Sequence, residues 1–173
     1  MKIQTTRKAN YDHNLGCKLD SHMINGQGTG DVSKLKYGLF HMSYNGCEVI
    51  SVYNALCYIG KPQPLQDIAF YLEKYRVLMG VFGCNVFRLG KALKKYGAAY
   101  ERIDEIGTTP AFIVSFWTGK PFRSAIHTVF CTQDHGRIRI YNRYNSCKTI
   151  RYVDSPEQLL KNRKPVVVYA IKK

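Results

Sequence analysis

The chain has 173 residues, of which 45% are hydrophobic and 22% are charged, so it is long and apolar enough to bury one core and does not belong to the disordered class. Its 26 Lys and Arg against 12 Asp and Glu give a formal net charge of +14, which favours an anionic partner. The basic residues are dispersed and no nucleic-acid-binding motif accompanies them, so the composition does not favour nucleic acid as the main partner.

Targeting, membrane and cross-linking signals are missing from the sequence. No stretch is apolar and long enough to cross a bilayer, and no apolar run follows the basic residues near the N-terminus. The six cysteines, at positions 17, 47, 57, 84, 131 and 147, form neither CxxC pairs nor a dense set. We therefore expect reduced thiols, a cytoplasmic location, no membrane span, no metal ion and no other cofactor.

Residues 1–36 are polar and rich in glycine, which predicts an irregular N-terminal arm ahead of a domain over residues 37–173. Within the arm, Gly26, Gly28 and Gly30 surround Gln27. No apolar strand precedes these glycines and no helical pattern follows, so they are interpreted as loop glycines rather than a nucleotide-binding loop. The role of the arm stays open between a propeptide, a lid and a partner-binding strand.

Apolar residues at helical spacing predict helices over residues 46–58, 64–75 and 85–96. After Gly97 the pattern changes to short β-rich runs, at residues 98–103, 111–117, 126–132, 137–142, 149–153 and 165–171. Asp134-His135-Gly136 predicts a hairpin turn between the third and fourth runs, and Ser155 with Pro156 predicts a short helix over residues 155–160. Helices followed by strands indicate an α+β fold, with an antiparallel sheet packed against a helical layer.

One cysteine lies where a turn gives way to the first predicted helix. Asn45 and Gly46 are turn and cap residues, and Cys47 follows them at once. A thiol in the first turn of a helix lies near unpaired backbone N–H groups and the positive end of the helix dipole, and both favour the nucleophilic thiolate. Cys47 is therefore the candidate nucleophile, with a buried packing role as the alternative.

A cysteine nucleophile needs a base, and the base needs a group that orients it. Among the five histidines, His127 begins a predicted strand that would hold its ring rigidly, whereas His135 lies in the predicted turn. The hairpin brings Asn142 back near His127, where the Asn142 side-chain oxygen would accept from one ring nitrogen and leave the other for the thiol. A core histidine and a strand-end asparagine are the alternative interpretations.

Three parts of the sequence resemble papain-like cysteine peptidases, most closely the bacterial C39-like group that processes double-glycine leader peptides and bacteriocins. The matching segments are Asn45-Gly46-Cys47-Glu48-Val49-Ile50-Ser51 with Tyr58-Ile59-Gly60, residues 83–97 with their Lys-Lys-Tyr-Gly ending, and the His127 strand, hairpin and Asn142 strand. The resemblance covers roughly residues 37–172. It implies a papain-like fold, in which the nucleophile helix packs on a C-terminal antiparallel sheet.

The resemblance also implies an activity, namely cleavage of a peptide or isopeptide amide through a thioester. Cys47 would be the nucleophile, His127 the base and Asn142 the orienting residue. Deamidation or transpeptidation would use the same residues, and the substrate would be a peptide or protein, with the basic surface favouring an acidic one.

The sequence departs from this family at the oxyanion hole, which pairs the cysteine N–H with a glutamine about six residues earlier. His41 occupies that position and residues 37–47 contain no glutamine, so His41 and Asn45 are the candidate donors. Loss of one donor typically costs about 100- to 1,000-fold in turnover. A second function therefore stays open, a catalytically impaired binding module of the same fold for an acidic peptide or other anionic partner.

Overall fold

The computed structural model describes residues 3–17, 19, 22–119 and 125–173, and these residues form six α-helices and eight strands. The helices are α1 Ile3–Leu15, α2 Met42–Asn45, α3 Cys47–Tyr58, α4 Leu65–Leu72, α5 Leu89–Lys95 and α6 Pro156–Leu160. The strands are β1 Lys36–Tyr37, β2 Phe40–His41, β3 Ala99–Ile103, β4 Ala111–Thr118, β5 Ala125–Asp134, β6 Arg137–Tyr141, β7 Arg151–Val153 and β8 Val167–Lys172. Short 3₁₀ segments cover Gly30–Lys34, Glu73–Tyr75, Leu78–Gly80 and Val86–Arg88. Among the helices of the described ranges, none combines the length and the apolar character needed to cross a membrane.

Six strands form one sheet in the order β3-β8-β4-β5-β6-β7, and every neighbouring pair is antiparallel. The predicted α+β architecture with helices packed on an antiparallel sheet is confirmed at this level. The predicted hairpin turn is also confirmed, because Asp134 pairs with Arg137 and the two residues between them, His135 and Gly136, have φ of 47° and 77°. Two successive positive φ values define the two-residue turn whose twist matches that of the flanking strands.

The sheet is covered on both faces, as the alternation of side chains along β4 illustrates. Ile113 packs in the core shared with the helical layer, whereas Phe112 and Val114 pack in a second core with Leu159 of α6. Helix α3 runs through the first core, is buried from Cys47 to Leu56, and packs against β5. This packing fixes the N-terminus of α3 relative to the start of β5.

The prediction of an irregular arm over residues 1–36 is wrong for the part that forms α1. This helix packs on α4 and β1, and its Tyr11 contacts Phe70 and donates a 2.9 Å hydrogen bond to Asp67. The sequence Ile3–Leu15 carries few apolar residues, so no helical period of apolar residues is visible in it. Polar side chains hold the helix instead, including buried Asn10, which donates 2.8 Å to the carbonyl of Gly38.

Candidate active site

A cleft of about 360 Å³ lies where the N-terminus of α3 meets the start of β5. The predicted nucleophile Cys47 and the predicted base His127 both line it, although they lie far apart in the sequence. The other lining residues are Gln27, Ser43, Tyr44, Phe116, Thr118, Ala125, Ile126, Arg143, Tyr144, Asn145 and Lys161. The fold therefore brings the thiol and the imidazole to one cavity.

Cys47 is the first residue of α3, so its N–H is one of those that helix geometry leaves without an intrahelical acceptor. The preceding residue must be a glycine, because a Cβ on Gly46 would lie 1.9 Å from Cγ of Met42. The close approach of Gly46 to Met42 thus sets where α3 begins with Cys47.

The ring of His127 is held by the hairpin that follows it. Its Nε2 lies 2.8 Å from the backbone carbonyl oxygen of Asn142. A carbonyl oxygen can only accept, so Nε2 carries the proton and donates it, and the neutral ring keeps its lone pair on Nδ1. Phe116 meets the same ring edge-on, with 6.1 Å between ring centroids. The base is therefore fixed in one tautomer.

The contact predicted for the Asn142 side chain is replaced by a backbone contact. Asn142 lies beside His127 as expected, but its fully buried side chain turns to Gln27, donating 2.9 Å to Oε1 and accepting 2.8 Å from the backbone N–H. Its φ of 62° is a left-handed conformation, which asparagine tolerates better than most residues. This conformation lets the backbone serve His127 while the side chain holds Gln27.

Gln27 is the cleft residue that the sequence interpretation missed. Its side chain is buried in the cleft wall, and Nε2 donates 3.1 Å to the carbonyl of Ser43, which leaves its second N–H for a ligand. The segment around it is tied to α3, because Asn54 exchanges hydrogen bonds of 2.7 and 2.9 Å with the backbone of Ile24. One signal was visible in the sequence, the flanking glycines. A Cβ on Gly26 would lie 2.4 Å from the carbonyl oxygen of Cys147, so the segment passes close to another chain segment.

The two donors predicted for the oxyanion hole lie elsewhere. His41 is exposed and its Nδ1 lies 3.3 Å from the carbonyl oxygen of Lys34. Asn45 is buried, and its Nδ2 donates to the backbone carbonyls of Tyr37 and Gly80. Neither lines the cleft, so Gln27 replaces both as the candidate donor.

The electrostatics at Cys47 differ from the expected thiolate. The residue is only 6% exposed, and burial raises the pKa of its thiol well above the usual value, with the neighbouring Glu48 carboxylate adding to the shift. Backbone hydrogen bonding from Thr128 acts in the opposite direction without reversing it. Desolvation therefore outweighs the helix N-terminus at this position. The Thr128 contact also puts the sulfur beside the residue that follows His127 on β5.

Burial lowers the pKa of His127, and the positive charge of Arg143 adds to this, while the hydrogen bond with Asn142 opposes it. The shifts at both groups favour a neutral thiol and a neutral imidazole at rest. Within the described contacts no hydrogen bond joins the sulfur to the ring, which is common before a substrate tightens the geometry.

Two further clefts are lined by residues 19, 22–26 and 29–32 and by residues 104–105, 156–157, 160 and 162–165, and none of these lining residues is a cysteine. Comparison with protein-family models, with curated proteins and with solved structures finds no match to this chain. The chemistry of the cleft is therefore argued from its own residues.

Proposed function

We propose that this protein is a papain-like cysteine peptidase, similar to the bacterial C39-like group, which cleaves a peptide or isopeptide amide through a thioester. The observation that carries the proposal is that Cys47, His127 and Gln27 line one cleft, with the lone pair of His127 on Nδ1. A nucleophile, a base with a fixed tautomer and a buried amide donor are the parts that acyl transfer needs.

In the first half of the reaction, the Cys47 sulfur attacks the substrate carbonyl carbon while Nδ1 of His127 takes the thiol proton. The carbonyl oxygen gains the negative charge and accepts from the free N–H of Gln27 and the backbone N–H of Cys47. When the tetrahedral intermediate collapses, the carbon–nitrogen bond breaks and His127 returns the proton to the leaving amine. Because both resting groups are neutral, His127 acts as a general base rather than as a preformed imidazolium.

In the second half, water attacks the thioester carbon and His127 takes its proton. The carbon–sulfur bond breaks, the carboxylic acid leaves, and the proton returns to Cys47. The Asn142 carbonyl, 2.8 Å from Nε2, stabilises the transient imidazolium in both halves.

One observation favours a second candidate, a binding module of the same fold in which Cys47 is inert. The pKa of the Cys47 thiol is raised by burial and by Glu48, and such a thiol is a poor nucleophile unless a base removes its proton. The two candidates differ in whether His127 activates Cys47.

Site-resolved alkylation tests this difference. Iodoacetamide labelling between pH 6 and 9, mapped by mass spectrometry, compares Cys47 with the partly exposed thiols Cys17 and Cys57 of the same molecule. If the protein is a peptidase, Cys47 should be alkylated faster than expected for so buried a thiol, and His127→Ala should slow the labelling of Cys47 only. His135→Ala, which alters an exposed histidine in the hairpin turn, is the matched control.

Cleavage of a mixed peptide library completes the test. We expect it to vanish in Cys47→Ala and to fall roughly 100- to 1,000-fold in Gln27→Ala, with alkylation of Cys47 retained because alkylation forms no oxyanion. Labelling of Cys47 no faster than that of Cys57, and indifferent to His127→Ala, would overturn the peptidase and leave the binding module.

A further inference from the structure

One cationic side chain in the cleft wall is buried, and one of its nitrogen atoms has no hydrogen-bond partner. Arg143 is 8% exposed, and its Nη1 has no hydrogen-bond partner. None of the ion pairs among the described residues includes Arg143. Buried guanidinium groups are normally paired, because an unpaired buried charge costs far more than an unpaired neutral group. The guanidinium group of Arg143 therefore lacks an anionic hydrogen-bond acceptor within the described part of the chain.

Aromatic rings hold the guanidinium without satisfying its N–H groups. The Cζ of Arg143 lies 5.1 Å from the ring centroid of Phe116 and 5.9 Å from that of Tyr144. These cation–π contacts fix the side chain but occupy no donor, so its N–H groups stay available to an acceptor.

The described residues that line the cleft supply nothing to neutralise Arg143. They include no Asp or Glu, and they include a second cation, Lys161. Arg143 and Cys47 line the same cavity of about 360 Å³, so a group bound at Arg143 belongs to the molecule whose amide is attacked.

We propose that Arg143 is a specificity residue that binds a carboxylate of the substrate beside the bond to be cleaved, from either an acidic side chain or the end of a peptide. This inference rests on the proposed peptidase function and names its substrate class. The planar guanidinium matches a carboxylate through paired hydrogen bonds, which is the geometry that its free donors would provide.

A bound carboxylate would also help the base. The charge of Arg143 adds to the burial that disfavours a protonated His127. A carboxylate paired with Arg143 offsets that charge, so the imidazolium formed during attack becomes easier to reach. Acidic substrates should therefore gain in turnover as well as in binding.

Isosteric alkylating probes test the subsite at Cys47 itself. Three pairs differ only by one carboxylate: iodoacetate and iodoacetamide, bromoacetyl-Glu amide and bromoacetyl-Gln amide, and bromoacetyl-Gly and its amide. For each pair, the alkylation rate with the acidic probe is divided by the rate with the neutral probe. This ratio at Cys47 is then divided by the same ratio at Cys57, which corrects for the overall charge of the protein. We expect a normalised ratio of roughly 10 or more for at least one longer pair, from the strength of charged hydrogen bonds.

The source of the carboxylate follows from which pair responds. A side chain is indicated by the Glu and Gln pair, and a chain end by the Gly pair. Arg143→Gln should lower the ratio roughly tenfold, and Arg143→Lys should lower it less because the charge remains. Arg151→Gln, which removes the same charge from an exposed position on β7, should leave the ratio unchanged.

The two proposals fail in different ways in this experiment. The absolute rate at Cys47 and its response to His127→Ala test the peptidase, whereas the ratio within a pair tests Arg143, and a slow thiol still yields a ratio at pH 9. Normalised ratios near one for every pair in the unmodified protein would overturn the subsite even if Arg143→Gln did not fold. Ratios that survive Arg143→Gln would overturn it as well.

Discussion

Glu48, beside the proposed nucleophile Cys47 in the first turn of α3, carries a carboxyl group that is almost fully buried. It is 2% exposed, and its Oε2 has no hydrogen-bond partner. Burial raises its pKa to about 7, although hydrogen bonds from its own backbone, Cys47 and Cys84 act in the opposite direction. The space for the carboxylate depends on Gly83, where a Cβ would lie 2.7 Å from Oε2.

The raised pKa of Glu48 predicts a pH-dependent cost to stability. An acid whose pKa rises on folding holds its proton more tightly in the native state, so its contribution is fully present below its ordinary pKa near 4.5. That contribution is lost as the pH rises to about 7. The unfolding free energy of Glu48→Gln, minus that of the unmodified protein, should therefore rise by about 3 kcal/mol as the pH increases across this range.

Urea unfolding at several pH values between 4 and 8 measures this difference. Glu105→Gln, at an exposed carboxylate, is the control and should give a difference that does not change with pH. A Glu48→Gln difference that stays flat across the same range would mean that Glu48 is ionised at no cost in the fold.

At the scale of elements, α1 is a helix held by polar contacts. Asn10 donates to the Gly38 carbonyl and, at 2.6 Å, to Oε1 of Glu73, while Asn14 exchanges hydrogen bonds of 2.9 and 2.7 Å with the backbone of Lys36. None of the α1 side chains that the structure describes lines the cleft. These contacts make α1 part of the scaffold rather than a lid or a propeptide over Cys47.

This assignment predicts that weakening α1 lowers stability and leaves the cleft chemistry alone. Asn10→Ala removes the donor to two buried acceptors and should cost about 2–4 kcal/mol of unfolding free energy. Lys8→Ala on the same helix removes only an exposed ion pair with Asp12 and should cost less than about 0.5 kcal/mol. The rate of Cys47 alkylation should be the same in both variants. Faster alkylation or cleavage in Asn10→Ala, at unchanged stability, would instead identify α1 as an inhibitory segment.

The contrast between α1 and α3 explains how much of the fold was predictable. Helix α3 and the strands β4 to β6 are rich in apolar side chains because they lie in the two cores, and their extents were predicted to within a few residues. Helix α1 is stabilised by hydrogen bonds to distant backbone groups, and such bonds leave no period in the sequence.

The same distinction holds within the cleft. Cys47 and His127 could be singled out in the sequence because the chemistry proposed for them is tied to local positions, a helix start and a strand start. The partnership of Gln27 with Asn142 joins two loops and depends on Asn54 and the packing of Gly26, so only the folded chain brings it about.

At the scale of the whole molecule, the net charge of +14 is an excess of positive charge that ion pairing within the chain cannot neutralise. Apart from the buried pair of Arg76 with Glu73, the ion pairs of the described residues lie at the surface. Among the residues that the structure describes, the cleft adds Arg143 and Lys161 and no acidic residue. A surface with a large net positive charge attracts an anionic molecule over distances of about the screening length, roughly 10 Å at 0.1 M salt.

This field predicts a salt dependence that discriminates between substrates. For a peptide with several acidic residues, kcat/KM should fall roughly tenfold between about 0.02 and 0.3 M NaCl, because added salt screens the long-range attraction. For a neutral peptide of the same length, cleaved at the same bond, it should change less than twofold. Mass spectrometry of samples quenched at set times, with both peptides in one reaction, gives the two rates under identical conditions.

The Arg143→Gln variant should have a lower kcat/KM on the acidic peptide at every salt concentration but should keep most of the salt dependence. The salt dependence comes from the charge of the whole surface, whereas the constant decrease comes from the loss of one contact. Equal salt slopes for the two peptides would show that the net charge does not guide substrate to the cleft.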